Sequence, residues 1–280
     1  MMQEIPCDVC FHRCLLKEGG KGFCKARGNR DGKNVSLNYG LSTGLSLDPM
    51  EKKPLRRFYP GSRILSYGSY GCNLTCPFCQ NSFISQVDLE KESEKVTPVQ
   101  LAELALSLKE RGNIGLAFTY NEPLISYEFI KDAAKEVKIR GMKNVLVTNG
   151  EASLWVLEEI APYIDAMNID LKGFTDEYFR YIGGDRRMVL DFIKASYQKG
   201  IHIELTTLVV PAHNDNEEDF LKEVEWIASL DKNIPLHISR YFPRYKEKED
   251  PTPIKTLKRF EEIAKAHLTY VYLGNVSLSC

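Results

Sequence analysis

Gly71-Cys72-Asn73-Leu74-Thr75-Cys76-Pro77-Phe78-Cys79-Gln80-Asn81 sets three cysteines apart by three and then two residues. On a helix the three thiols would share one face. The glycine ahead of the run and Pro77 inside it favour a loop instead. A loop can wrap three thiolates around one corner of a metal centre. A structural zinc site wants four protein ligands, and no fourth cysteine or histidine lies near this run. Three thiolates on a four-iron cluster leave one iron without a protein ligand, free to bind a small molecule and pass it an electron. A zinc site completed by a distant ligand is the alternative.

The surroundings of the run set its context. Just upstream, Arg63–Gly68 reads as a strand. Downstream, Thr97 can cap a helix with Pro98 in its first turn and Gly112 after its end. Leu101, Leu104, Ala105 and Leu108 give that helix an apolar face. A second helix runs from about Ser126 to Gly141, and others fit Ser153–Ile160, Met188–Lys199, Glu217–Leu230 and Ile254–His267. Between them Ile114–Thr119, Val145–Thr148, Met167–Leu171, Ile201–Val210, Pro235–Ser239 and Thr269–Leu273 read as strands. Strand–helix repeated about six times predicts an α/β fold with parallel strands and right-handed crossovers. The choice lies between a doubly wound sheet and a full or partial barrel. In a barrel, chemistry sits at the C-terminal ends of the strands. The polar groups to consider there are Tyr120-Asn121-Glu122, Thr148-Asn149-Gly150, Asp170-Leu171-Lys172, Glu204 with Thr206-Thr207, and His237 with Arg240. His202 and His237 suit satisfied histidines of a core or rim as well as they suit a functional site.

Residues 1–60 differ from the rest. They are glycine-rich, carry Cys7, Cys10, Cys14 and Cys24, and show short strand signals near Val35–Tyr39 and Leu45–Leu47. We read them as a small metal-held module, with residues 61–280 as the main domain. Four cysteines make a closed ligand set in which His12 can replace one. Structural zinc is the first reading, because a short glycine-rich segment needs a staple, and an auxiliary iron–sulfur cluster is the second.

The 280 residues carry 37 Lys+Arg against 38 Asp+Glu, so a binder held by nucleic-acid phosphates is not expected. No apolar run is long enough to span a membrane, and Met1-Met2-Gln3-Glu4 does not begin a signal peptide. The expected location is cytoplasmic, where clustered cysteines are metal or redox ligands and not a disulfide framework. Gly40-Leu41-Ser42-Thr43-Gly44 matches a serine-hydrolase elbow but lacks the helix that must follow it. The charge run Lys246–Asp250 reads as a solvated loop, His213 as a loop residue and His267 as a surface residue.

Cys-x3-Cys-x2-Cys after the first strand of a six-fold βα repeat, with the aromatic Phe78 before the last cysteine, resembles the radical S-adenosylmethionine (SAM) superfamily. The likeness extends through Asp48-Pro49-Met50-Glu51-Lys52-Lys53-Pro54-Leu55, Phe58-Tyr59-Pro60-Gly61-Ser62, Phe118-Thr119-Tyr120-Asn121-Glu122-Pro123 and Cys7-x2-Cys10-Phe11-His12-x-Cys14. Together these stretches look like the radical SAM enzyme of the AmmeMemoRadiSam system, a group similar to pyruvate formate-lyase activating enzymes.

The resemblance implies a partial (β/α)6 TIM-like barrel and a [4Fe–4S] cluster on Cys72, Cys76 and Cys79. SAM would chelate the open iron, and one electron would cleave it to a 5′-deoxyadenosyl radical that abstracts hydrogen. Asn121 and Glu122 stand where the superfamily has a Gly-Gly-Glu-like motif, so Glu122 would accept from the methionyl ammonium. Thr148 and Asn149 match a Thr-Asn-Gly that meets the cofactor. Val147 replaces the aspartate of a cation site in activating enzymes, so no such cation is expected. Asp170 would accept from the ribose hydroxyls and Lys172 would bind a carboxylate, unless the two form an ion pair lining the barrel. Val210 would pack on adenine, and the Phe78 backbone would meet its edge. The implied partners are an electron donor of flavodoxin or ferredoxin type and a protein substrate attacked at a glycine, or an unknown small substrate. A non-catalytic iron–sulfur or zinc protein, used in electron transfer or as a scaffold, is the competing reading. The resemblance implies that many members continue past a Gly-Asn-Val like Gly274-Asn275-Val276 into further cysteine pairs, so the expectation is either a short variant or a C-terminal module missing after Cys280, whose partners would then be lost.

Overall fold

The computed structural model describes residues 4–276, so Cys280 lies outside them. Its centre is an eight-stranded sheet. In chain order the strands are β1 (Gly44–Pro49), β2 (Arg63–Gly68), β3 (Asn113–Phe118), β4 (Lys143–Thr148), β5 (Ala166–Asp170), β6 (His202–Val209), β7 (Leu236–Arg240) and β8 (Val271–Gly274). They lie side by side in that order, and β1 and β8 do not pair with each other, so the barrel is partial. Strands β2 to β8 are all parallel; β1 runs antiparallel to β2. The strand signal at Leu45–Leu47, read with residues 1–60, is thus hydrogen-bonded into the barrel sheet.

The crossovers are α1 (Pro98–Ser107), α2 (Tyr127–Ile139), α3 (Leu154–Ile160), α4 (Asp176–Ile182), α5 (Arg186–Gln198), α6 (Glu217–Asp231) and α7 (Ile254–Lys265). Thr97 starts α1 with a full capping box, exchanging hydrogen bonds with Gln100. The helix buries Leu101, Ala102 and Ala105, whereas Leu104, expected on the apolar face, is left 37% exposed. Helix α4 has no counterpart among the expected helices. Thr175 caps it and Gly183 ends it in the left-handed region. No helix among the described residues is long and apolar enough to cross a membrane.

Strand ends decide where chemistry can sit. Strand β6 begins at His202 and β7 at Leu236, so Glu204 and His237 lie near the N-terminal ends of their strands. They face the barrel floor, not its mouth. There Glu204, fully buried, accepts from Arg56 N at 2.9 Å, Arg57 N at 2.7 Å, His202 Nε2 at 3.1 Å and His237 Nε2 at 2.6 Å. Asn168 Nδ2 adds a bond to Pro54 O at 2.9 Å. The segment Pro54–Arg57 is thereby pinned across the bottom of the barrel, with the Phe58 ring against His202.

On the outer face of the sheet, α6 buries Glu223 with Thr207 Oγ1 as its hydrogen-bond donor. Burial pushes this carboxyl up to about 7. The folded chain then holds a proton that the unfolded chain releases near pH 4.5, so this contribution to stability falls as pH rises from 4.5 to 7. Its ceiling is roughly 3 kcal/mol. Glu223→Gln should flatten that part of the profile, read as the urea midpoint measured across pH 4.5–7.5.

Candidate active site

The loop after β2 carries the three cysteines and is fastened at many points. Pro77 O accepts from Lys246 N at 2.8 Å and Glu247 N at 3.0 Å. Thr75 N donates to Ile182 O, Gln86 Nε2 to Leu74 O and Asn73 Nδ2 to Glu151 O. Gly71 has φ +86°, and a Cβ there would lie 2.5 Å from Cys24 O, so only glycine lets the N-terminal segment approach this closely. The Lys246–Asp250 run is therefore not merely a solvated loop. Its backbone straps the cysteine loop, while the Glu247 side chain binds the Tyr181 hydroxyl and pairs with His213 at 3.2 Å. His213 also stacks on Tyr181, with ring centroids 4.0 Å apart.

Cys72, Cys76 and Cys79 line one cavity of 430 Å³ together with Phe78, Glu122, Thr148, Asn149, Asp170 and Lys172. The thiols are unpaired. Burial, with the Glu122 charge adding, pushes Cys72 well above the usual thiol range, and burial pushes Cys76 up to about 12. Leu74 N donates to Cys72 Sγ at 3.4 Å, and Cys79 Sγ lies 3.1 Å from Ser85 Oγ. Among the described residues no three His, Cys, Asp or Glu side chains are gathered around a single metal ion. A cubane asks for a different arrangement, because three thiolates bind three separate irons. Three sulfur donors on the wall of an open cavity fit that group.

The other residues singled out from the sequence divide into two sets. Glu122 is buried, accepting from Thr148 Oγ1 at 2.7 Å, Asn149 N at 2.8 Å and Leu124 N at 3.0 Å. Burial outweighs those bonds and lifts it to about 7. Asn149 Nδ2 donates to Asn73 Oδ1 at 2.8 Å. Lys172 pairs with Asp170 at 2.9 Å. Burial works against its charge, but Asp170 and the Cys76 thiol together raise its pKa above the ordinary lysine value. These groups face the thiols. Asn121 lines the cavity, but its amide is spent on Ser69 N, Tyr70 O and Gly71 O, which shape the root of the cysteine loop. Val210 is buried away from the cavity, and Leu208 lines it instead.

Several residues at this site have no counterpart in the sequence reading. Asn214 donates to Lys172 O at 2.6 Å and Leu208 O at 2.8 Å and accepts from Val210 N at 2.6 Å. It ties the ends of β5 and β6 together and supports Lys172 in its left-handed backbone, φ +61°. Glu151 is buried with Oε2 on Asp185 N, leaves Oε1 without a partner, and is raised to about 8 by burial. Asn214 gave one signal, an asparagine just past a strand end. Glu151 gave none beyond its place next to Gly150.

The N-terminal cysteines form a separate group. Cys7 N donates to Cys14 O at 2.8 Å, and Cys14 Sγ accepts from Phe23 N at 3.4 Å. Burial, with the neighbouring Cys24, Cys7 and Cys14 adding, pushes Cys10 up to about 12. His12 does not join them. It stacks on Phe23 at 3.8 Å and places Nε2 2.8 Å from Asn73 O, so it holds this segment to the cysteine loop.

Comparison with known proteins agrees with this geometry. The family model "Radical SAM superfamily" matches residues 66–227. An uncharacterized protein of Methanocaldococcus jannaschii is 38% identical over 98% of this chain and 82% of its own. The pyruvate formate-lyase-activating enzyme of Clostridium pasteurianum is 29% identical over 62% of this chain and 71% of its own. Among solved structures, Streptococcus suis SuiB bound to S-adenosylmethionine superposes with a TM-score of 0.58 at 16% identity, covering 77% of this chain and 52% of that one. SuiB bound to its precursor peptide SuiA gives 0.59 at 14%, covering 76% and 48%. With its three-cysteine loop at the mouth of a partial parallel barrel, and with the family match spanning more than half its length, this chain belongs to the radical SAM superfamily.

Proposed function

We propose that this protein cleaves SAM reductively in the cavity beside Cys72, Cys76 and Cys79 and abstracts hydrogen from a partner protein, at a glycine in the manner of activating enzymes. The observation that carries the chemistry is the placement of three unpaired thiols opposite Glu122, Asn149, Asp170 and Lys172 in one cavity. Those thiols would hold a [4Fe–4S] cluster, which would supply the electron for breaking the sulfonium bond. The chain's own part is to bind and orient. Lys172, held charged, takes the SAM carboxylate; Asp170 takes the ribose hydroxyls; Phe78 and Leu208 supply apolar wall for the adenine. Glu122 and Asn149 meet the methionyl end, and Thr148 aims the Glu122 carboxylate. A protein substrate is supported by the relatives named pyruvate formate-lyase-activating enzyme and by the peptide complex of SuiB. The electron donor we propose is a flavodoxin or ferredoxin.

Cys7, Cys10, Cys14 and Cys24 are the second metal proposal. Four sulfur donors suit zinc or an auxiliary cluster; among the described residues they are not gathered around a single ion, so a zinc ion would require them to close on it. Metal analysis of the full-length protein tells the two apart.

The central test is anaerobic reconstitution with iron and sulfide, reduction by dithionite, addition of SAM and chromatography for 5′-deoxyadenosine. Product is expected. Its absence from protein with a verified, reduced four-iron cluster would remove the catalytic reading.

A further inference from the structure

The Asp48–Leu55 stretch belongs to the family likeness, yet the SAM site does not use it. Lys53 is only 3% exposed, and its side chain lines the same cavity as the three thiols. Its ammonium donates to Asp48 Oδ2 at 2.8 Å and lies 4.6 Å from the centre of the Tyr120 ring. An ammonium has three N–H donors. Among the described residues Asp48 is the one acceptor that Lys53 has, so two donors are left over in a buried place.

Asp48 is fully engaged. Its Oδ2 also accepts from Tyr120 Oη at 2.6 Å and Ser66 Oγ at 2.9 Å, and its Oδ1 accepts from Ser46 Oγ at 3.2 Å. Of the other charges on the cavity wall, Glu122 is engaged by Thr148, Asn149 and Leu124, and Lys172, paired with Asp170, is the lysine assigned above to the SAM carboxylate. Lys52, 70% exposed at its side chain and 3.7 Å from Asp48 Oδ1, adds a second positive charge at this end. Two lysines share one carboxylate here, so the end of the cavity formed by the chain beneath β1 and β2 keeps a net positive charge and spare donors. A buried cation in that state favours an anionic ligand.

We propose that Lys53 is an oxyanion subsite, its two free N–H donors taking a carboxylate or phosphate group of the substrate. Asp48 and Tyr120 position it: the carboxylate keeps the amine charged, and the ring fixes the direction of the side chain. This rests on the reading that the cavity is where substrate meets the radical, and it narrows that substrate to one bearing an oxyanion.

The test uses the full-length protein without cluster or SAM, so it fails or succeeds independently of SAM cleavage. Inorganic phosphate is followed by 31P line broadening and fluoroacetate by 19F line broadening, in separate titrations. Wild type should broaden at least one of the two, which identifies the oxyanion. Lys53→Met, with its fold checked by circular dichroism, should weaken that binding about tenfold or more. Asp48→Asn should weaken it as well, because the carboxylate that holds the ammonium charged and in place is lost. No broadening by either anion, broadening that survives Lys53→Met, or unchanged binding in Asp48→Asn would each overturn the proposal.

Discussion

Cys76→Ala should bring 5′-deoxyadenosine formation down to the level of a control without protein. Cys76 is the most enclosed of the three thiols, at 7% exposure. The loop that carries it is fixed by the strap on Pro77, by Ile182 and by Gln86, so no neighbouring donor can swing into its place. With two thiolates left, the cluster loses one of three protein anchors and its hold on the loop. Iron and sulfide bound after reconstitution should fall, and the visible absorption of the cluster should fall with them. The fold should persist, because the loop's backbone bonds do not pass through the sulfur. Full activity with a normal cluster in Cys76→Ala would take the ligand role from this residue and with it the proposed site.

Glu204→Ala should cost about 3–5 kcal/mol of stability, the range for breaking a buried charged network from one side. That corresponds to a fall in Tm on the order of 10 °C. One carboxylate serves four donors, two of them backbone N–H groups that have no other acceptor. Burial opposes its charge, but the bonds from His202, His237, Arg56 and Arg57 outweigh burial and hold it down to about 2. A carboxyl lowered in the folded state contributes stability that is present above its unfolded value near 4.5 and is lost as pH falls toward 2. Wild type should therefore lose stability through that acid window while Glu204→Ala, already lacking the contribution, changes less. Thermal melts at pH 6, 4 and 3 would show it, and parallel slopes for the two proteins would refute the assignment.

The repeating strands and helices were legible because their signals are local. Thr97 and Pro98 start α1 through capping chemistry that lies within a few residues, and Gly112 ends the 3-10 turn Lys109–Arg111 that follows it. The three-cysteine loop was legible because its spacing is chemically restrictive. What the sequence hid depends on register and on distant partners. Glu204 and His237 read with the mouth residues as strand-borne polar groups, yet each stands near the start of its own strand signal, Glu204 in Ile201–Val210 and His237 in Pro235–Ser239, which is the floor end. Leu208 lies inside β6 and Val210 just past its end, where the strict alternation of a strand no longer holds. Lys53 looked like one more charged residue in a motif; only the fold brings Asp48, Ser66 and Tyr120 around it. The Lys246–Asp250 run read as solvated because its side chains are charged, whereas its structural contribution is made by backbone N–H groups.

The bonds from Arg56 and Arg57 to Glu204 join residues 148 and 147 positions apart, more than half the 280-residue chain. On the ribosome, at ~5–20 residues per second, roughly 7–30 s separate the synthesis of the two sides. Through that interval Pro54–Arg57 has emerged and its acceptor does not yet exist. The strands β2 to β5 can pair with their neighbours as they appear, but the floor stays open until β6 is added. Contacts of such sequence separation close slowly. The nascent barrel thus exposes its apolar interior from below for longer than from the sides, and it is there that a chaperone or an aggregating neighbour would find it.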